Sequence, residues 1–396
     1  MSSPDAPGLL DPEVIPRLNQ LAAALEADDP DAAELLRLVE GSDPLELLPW
    51  LHRHRVLSAV ARVLRRCPRA QELPQALQQG LATARRQAAV GTLLRQQELK
   101  EATEALGSAG IRCAVIKGCD LGSRVYDAPG DRIAGDIDLM IEPQALDGGI
   151  EVLQRSGWQP RAQGARYHRF LHDEGYCWQA QRPSRPMIEL HFRLWGSVPQ
   201  SFASAVLEDC ENHRGLVALR PSLADAYALA AVHSWTDAGP RPLATWWDLQ
   251  RIARKGAQSP EGEGTMVSSI AQRSVEHGLQ LPVALAAQAA AGLYGGPIHP
   301  TLVERLEPTL SRLERRLLQR LQERGDGTLQ LSSITLAHRL SGRPSRSGWR
   351  SLLRRVWAHP GVVERETSPR SPWFLRRLQH LGQRVGWRSS STPQPR

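Results

Sequence analysis

The spacing of apolar residues changes twice along this chain of 396 residues. From residue 12 to about 106 they recur every three to four positions, the period of amphipathic helices. Breaks fall at the Pro- and Asp-rich stretches "ADDPDAAE" and "GSDPLE". The last of these helices is predicted over roughly 75–107, where "GSAG" supplies a stop. The period then shortens. "IRCAVIKG" (111–118) and "DIDLMI" (136–141) read as strands, with the turn-rich "CDLGSRVYDAPGDRIAG" between them as a loop. Pro143 suits the first turn of a helix, and Leu146, Ile150 and Leu153 carry helical spacing as far as "SGW". Further strands are expected in "RYHRFLH", "YCWQA" and "MIELHFRLW". From Ser222 the helical period returns, opened by "SLAD", which resembles a capping box. It continues through "WWDLQRIARK", "SSIAQRSVEHGL", "PVALAAQAAAGLY" and "TLSRLERRLLQRLQE", with "AQSPEGEGT" as a surface loop. No internal repeat stands out.

Two of the strands carry acid where apolar residues are expected. Side chains alternate across a strand, so Ile137, Leu139 and Ile141 share one face while Asp136, Asp138 and Met140 share the other. In "MIELHFRLW", Ile188, Leu190 and Phe192 alternate with Met187, Glu189 and His191, which again collects a carboxylate and an imidazole on one side. Adjacent carboxylates repel unless water or a positive charge separates them. Three on neighbouring strands suit a hard divalent cation such as Mg²⁺, which takes oxygen ligands and leaves positions for phosphate oxygens. Upstream, Gly118 can let backbone amides approach a phosphate and Lys117 can supply a point charge. Arg132, four residues before Asp136, carries a planar fork for the same purpose, or for pairing with Asp131 or Asp136. His191 reads as a partly buried structural histidine or one that orients a ligand.

Composition narrows the class. Apolar content is that of a globular protein, no run reaches eighteen apolar residues, and the first residues lack the basic-then-apolar order of a signal peptide. A cytoplasmic location is the expectation. Five cysteines without a CxxC pair argue against a disulfide framework or structural zinc, so any metal should be held by oxygen. The net charge of +7 belongs to the end of the chain: residues 338–396 contain thirteen Arg and two Glu, and the rest is acidic on balance. Phe374, Leu378, Leu381 and Val385 fall on one helical face there, among arginines and four tryptophans. Such a helix suits nucleic acid, an anionic membrane, or docking on its own core. Only three of the 49 basic residues are lysines (Lys100, Lys117 and Lys255), which makes Lys117 more telling.

The segment "GIRCAVIKGCDLGSRVYDAPGDRIAGDIDLMIEPQALDGGIEVLQRSGW" resembles the uncharacterised nucleotidyltransferase family of the polymerase-beta-like superfamily, whose pattern runs "LLKG…L…Y…R…DIDLLV". That family follows with a "DLHW" strand, which here reads "ELHFRLWG": Glu189 replaces the usual Asp and His191 is kept. "LAAVHSW" and "WWDLQRIAR", with His233 and Asp248, are similar to its helical half. The likeness spans roughly 85–295, by a series of short motifs in order. It implies an α+β fold: a mixed sheet in a nucleotidyltransferase-like core, flanked by an N-terminal helical region and a C-terminal helical domain. The expected boundaries are 1–84, 85–200, 201–325 and a basic tail over 326–396. It also implies Mg²⁺ on Asp136 and Asp138, with Glu189 completing the site or acting as base. Lys117, Gly118 and Arg132 would face the NTP. Transfer of a nucleoside monophosphate goes to an acceptor left open: small molecule, protein or RNA. "KG" stands where many active members of the superfamily have Gly-Ser, so triphosphate handling differs. The alternative expectation is a non-catalytic binding protein that uses the basic tail for nucleic acid or anionic membrane.

Overall fold

The computed structural model describes residues 14–26, 33–128, 130–160, 177–194, 198–213, 215–234, 242–260, 262–296 and 298–324. "RYHRFLH" and the basic tail, with its amphipathic segment and proposed nucleic-acid or membrane contacts, lie outside the described residues. Five helices come first: α1 (Val14–Glu26), α2 (Ala33–Glu40), α3 (Pro44–Arg53), α4 (Leu57–Leu64) and α5 (Gln75–Ser108). The "GSDPLE" break is a helix start: Pro44 needs no N–H at N1, and the Asp43 side chain accepts from the Leu45 N–H at 2.9 Å. At the far end of α5, Gly110 adopts φ +71°. The chain reverses there, with the Ile111 N–H bonded to the Leu106 carbonyl at 2.9 Å.

The chain then enters the sheet with β1 (Cys113–Ile116), α6 (Lys117–Arg124), β2 (Ile137–Ile141), α7 (Leu146–Arg155), β3 (Gln159–Pro160), β4 (Cys177–Gln181) and β5 (Ile188–His191). After α8 (Gln200–Glu208) come the short β6 (Glu211–Asn212) and β7 (Leu219–Arg220). Among the described residues the strands form one mixed sheet in the order β3-β4-β5-β2-β1-β7-β6. β2 pairs antiparallel with β1 and parallel with β5. The helical half is α9 (Leu223–Ser234), α10 (Leu243–Ala257), α11 (Gly262–Glu276), α12 (Gln280–Tyr294), α13 (Ile298–Leu306) and α14 (Arg312–Arg324). "SLAD" opens α9: the Ser222 hydroxyl accepts from the Asp225 N–H at 3.1 Å and donates to the Asp225 carboxylate at 2.8 Å.

Alternation along the strands splits the core in two. Cys113, Val115, Ile137, Leu139, Ile141, Ile188 and Leu190 pack with Leu99, Ala102 and Leu106 of α5 and with Leu146 and Leu153 of α7. On the opposite face Ala114, Ile116 and Met140 join a larger cluster shared by the N-terminal helices and the helical half. The N-terminal helices also bond to α10 directly, through the Trp247 indole on Glu26 at 2.5 Å and the Leu243 N–H on His54 Nδ1 at 3.2 Å. So the acid-bearing face of β2 looks towards the helices.

Two expectations change. The strand expected over 111–118 ends at Ile116, and an eight-residue helix, α6, begins at Lys117; its buried Gly118 and Leu121 sit at i and i+3 and are too few to signal a helix by periodicity. The "AQSPEGEGT" loop ends early, because α11 starts at Gly262 and buries Met266, Val267 and Ile270.

Candidate active site

Asp138 and Glu189 stand on one rung of the sheet. Ile116, Asp138, Glu189 and Gln179 are successive register partners across β1, β2, β5 and β4. Met140, His191 and Cys177 form the next rung. Period-2 alternation therefore brings Asp138, Glu189, His191, Gln179 and Cys177 to the same face.

The positive charge that this face requires is covalently built in. Lys117 Nζ lies 2.5 Å from Asp138 Oδ1, and the pair is buried, with side-chain exposures of 14% and 4%. Lys117 opens α6 with φ +56°, a left-handed conformation that costs a non-glycine residue about 1 kcal/mol or more. A lysine where glycine would be unstrained fits a need for the ammonium. His191 Nε2 also faces Asp138 Oδ1 at 2.9 Å and Glu189 Oε2 at 3.3 Å. Ionised carboxylates only accept, so Nε2 carries the proton and donates to Asp138. It follows that the 3.4 Å approach of Lys117 Nζ to Nε2 sets two donors side by side. Glu189 Oε1 takes the Gln179 amide at 2.5 Å.

Electrostatics follow the geometry. Burial pushes the Asp138 carboxyl up, but the Lys117 charge and the His191 hydrogen bond outweigh it and hold the group well below the usual carboxylate range. Burial also raises Glu189, but the hydrogen bond from His191 together with the charges of His191 and Lys117 leaves it below its ordinary value. Burial opposes charge on Lys117, and Asp138 and Glu189 together drive it above its ordinary value. His191 is lowered by burial and by Lys117, yet ends raised through its two carboxylate partners. Asp136 behaves differently: burial, then the charges of Asp138 and Glu189, push it up to about 6. Among the described residues the Asp136 carboxylate makes no side-chain hydrogen bond or ion pair, and Asp138 Oδ2 makes none either.

Arg132 is engaged elsewhere. Its Nε donates to Asp248 Oδ1 at 2.7 Å and its Nη2 to Oδ2 at 2.8 Å, while Nη1 donates to the Ile133 carbonyl at 2.7 Å. Tyr126 Oη adds a bond to Asp248 Oδ1 at 2.6 Å. This bidentate pair ties the loop before β2 to α10, and Asp131 pairs instead with Arg62 at 2.7 Å. Asp248 is thus held by Arg132 and Tyr126 together. Gly118 is buried against the same loop: a Cβ there would stand 2.9 Å from the Ala134 Cβ. Glycine lets that loop pass close over the start of α6 and set Asp136 beside Asp138.

The donor set fits a hard cation. Asp136 offers both oxygens and Asp138 offers Oδ2, whereas both Glu189 oxygens face Gln179 or His191. Cys177, Glu189 and His191 also place ligand atoms within 4.8 Å of one another. Burial raises the Cys177 thiol well above its ordinary value, and sulfur is a soft ligand that an oxygen-seeking ion does not favour.

A family model described as uncharacterised nucleotidyltransferase matches residues 40–295. The chain belongs to this family. No curated protein matches it. The match takes in α3 through α12, and so includes the N-terminal helices that share the larger core, beyond the span the motifs marked out. For a nucleotidyltransferase the mixed α+β fold and a candidate metal group on the sheet are consistent features. No helix among the described residues is long and apolar enough to cross a membrane.

Proposed function

We propose that this nucleotidyltransferase-family chain is a Mg²⁺-dependent enzyme that moves a nucleoside monophosphate from an NTP to an acceptor hydroxyl. The observation that carries the reading is the unequal employment of the acids: Asp138 Oδ1 is neutralised by Lys117, while Asp138 Oδ2 and the whole Asp136 carboxylate make no bond among the described residues. These oxygens would hold the metal. When bound, Mg²⁺ supplies charge stabilisation to the phosphates and to the departing pyrophosphate.

The chain's own groups do the rest. Lys117 keeps an ammonium beside the reacting phosphate, where a fixed charge in a partly buried site acts more strongly than in water. His191 and Gln179 fix Glu189, and His191 fixes Asp138, so the carboxylates keep their orientation. The acceptor oxygen attacks the α-phosphorus, the bond between the α-phosphorus and the bridging oxygen breaks, and pyrophosphate leaves. The acceptor proton passes to Glu189, the carboxylate of this face that is not assigned to the metal. Arg132 acts through position by anchoring the loop that carries Asp136. The binding-protein alternative rests on residues 338–396, outside the described residues, and no specific observation favours it.

The test is equilibrium binding of each of the four ribonucleoside triphosphates, with and without Mg²⁺. The expected result is tighter binding with Mg²⁺, lost in Asp136→Asn. Equal Mg²⁺-dependent binding by Asp136→Asn would sink the reading.

A further inference from the structure

If the chain handles a triphosphate, a cation must meet its outer phosphates, and most cations around the site are already committed. Lys117 is on Asp138, Arg132 on Asp248, Arg62 on Asp131 and Arg182 on Glu98. Arg95 of α5 differs. It is half-buried, and among the described residues its guanidinium makes no hydrogen bond and no ion pair.

Its location is fixed by its neighbours on the helix. Ala88, Gly91, Arg95 and Glu98 follow one another at intervals of three or four and so line one face of α5. At one end of that face Ala88 lies under Gly130, its atoms 3.5–3.7 Å from where a Gly130 Cβ would stand, so the loop leading to Arg132 and Asp136 crosses there. At the other end Glu98 is bonded to Arg182, which follows β4, at 3.0 Å. Arg95 lies between the loop and the strand end. Its head folds back over Gly91, where an added Cβ would meet Nη2 at 3.1 Å and Nη1 at 3.3 Å. The absent side chain at Gly91 gives the guanidinium room to lie down.

We propose that Arg95 is a phosphate-binding residue that holds the outer phosphates of a nucleoside triphosphate whose α-phosphate faces Asp136 and Asp138. The inference rests on the nucleotidyltransferase reading and adds a residue that the motif pattern does not include. Burial without a carboxylate partner lowers the Arg95 pKa, with Arg132 lowering it further and Asp136 and Cys119 opposing. A guanidinium held half-buried without a paired anion is costly, and a polyphosphate supplies the missing charge in a geometry matched to the planar fork.

The experiment uses the full chain with inorganic tripolyphosphate and, in parallel, the four ribonucleoside triphosphates, all with Mg²⁺. Arg95→Met keeps the stem and removes the charge. The expected result is at least a tenfold loss of tripolyphosphate and NTP affinity, part of which returns in Arg95→Lys, with an unchanged or higher melting temperature. A clear drop in melting temperature would make Arg95 structural and overturn the proposal. If wild type binds NTP in an Asp136-dependent way and Arg95→Met binds equally well, the Arg95 role falls while the transferase reading stands. If wild type binds neither tripolyphosphate nor any NTP, both fall.

Discussion

Replacing Lys117 by methionine tests whether the ammonium is the cation that lets three acids share one sheet face. With His191 protonated, the cluster holds three negative and two positive charges, and Lys117→Met removes one of the positives. The lost partner is close and buried: Nζ stands 2.5 Å from Asp138 Oδ1, with side-chain exposures of 14% and 4%. Stranding one member of a buried pair costs about 3–5 kcal/mol, because the remaining charge loses its compensation. In a chain of this size that lowers the melting temperature by about 4–6 °C. Two relieving routes make the mechanism visible. Protonation of the carboxylates should shrink the deficit as pH falls, because Asp136, raised to about 6 with Lys117 in place, titrates higher still once that charge is removed. Added Mg²⁺ should stabilise Lys117→Met more than wild type, because the variant has more uncompensated negative charge, and binding at a hundredfold excess over Kd contributes about 2.7 kcal/mol. Thermal melts at pH 5.5 and 8, with and without Mg²⁺, read all of this. A variant that melts like wild type at pH 8, or a deficit that neither acid nor Mg²⁺ reduces, would refute the reasoning.

Other expectations follow from the packing around the site. Asp248→Ala leaves Arg132 buried beside Tyr126 without its bidentate partner and should cost about 3–5 kcal/mol in denaturant unfolding; a double-mutant cycle with Arg132→Met should return a coupling of about 1–3 kcal/mol. Gly118→Ala places a Cβ 2.9 Å from the Ala134 Cβ, and since neither methyl can swing away, the loop must shift. The expected cost is about 1–3 kcal/mol, with weaker Mg²⁺ binding by titration. His299 is buried, accepts from Tyr227 Oη at 2.9 Å and donates to Gln250 Oε1 at 2.8 Å. Burial holds its pKa down at about 4. Because the folded value lies below the unfolded one, its contribution is present above about pH 6.5 and is lost as pH falls towards 4, a change of about 3 kcal/mol. A His299→Gln variant should lack that part of the acid slope in unfolding measured from pH 7 to 4.

What the sequence disclosed depended on periodicity and on chemistry that is local along the chain. β1, β2, β5, α7 and the long α5 were legible because their apolar residues repeat with one period and end at Gly or Pro. α6 was not, since Lys117–Arg124 buries only Gly118, Asp120 and Leu121 and reads as turn residues. Alternation put Asp138 and Glu189 on one face, whereas Lys117, read as a phosphate ligand from its place at a strand end, turns out to pair with Asp138. The use of Arg132 was not legible, because its partner Asp248 lies 116 residues away on α10. Arg95 left no mark at all: on a helix rich in arginine, only the crossing of the Gly130 loop over Ala88 separates it from its neighbours.

The two aspartates of "DIDL" therefore differ in kind, although the sequence presents them as a pair. Asp138 lies inside β2, where the rung Ile116-Asp138-Glu189 fixes it, and a buried carboxylate there needs permanent compensation, which Lys117 and His191 provide. Asp136 precedes the strand, on a loop held by Arg132 on Asp248 and by the close pass over Gly118, and nothing among the described residues neutralises its carboxylate. A site made only of pairs like Lys117–Asp138 would have no reason to take a metal. One made only of acids like Asp136 would not fold without one. Joining the two lets the chain fold with its acids in place and still keep oxygens for a cation. On this argument Asp138→Asn should cost stability and metal affinity together, whereas Asp136→Asn should cost metal affinity alone and leave the melting temperature in chelator unchanged or higher. Equal destabilisation by the two substitutions would remove the distinction.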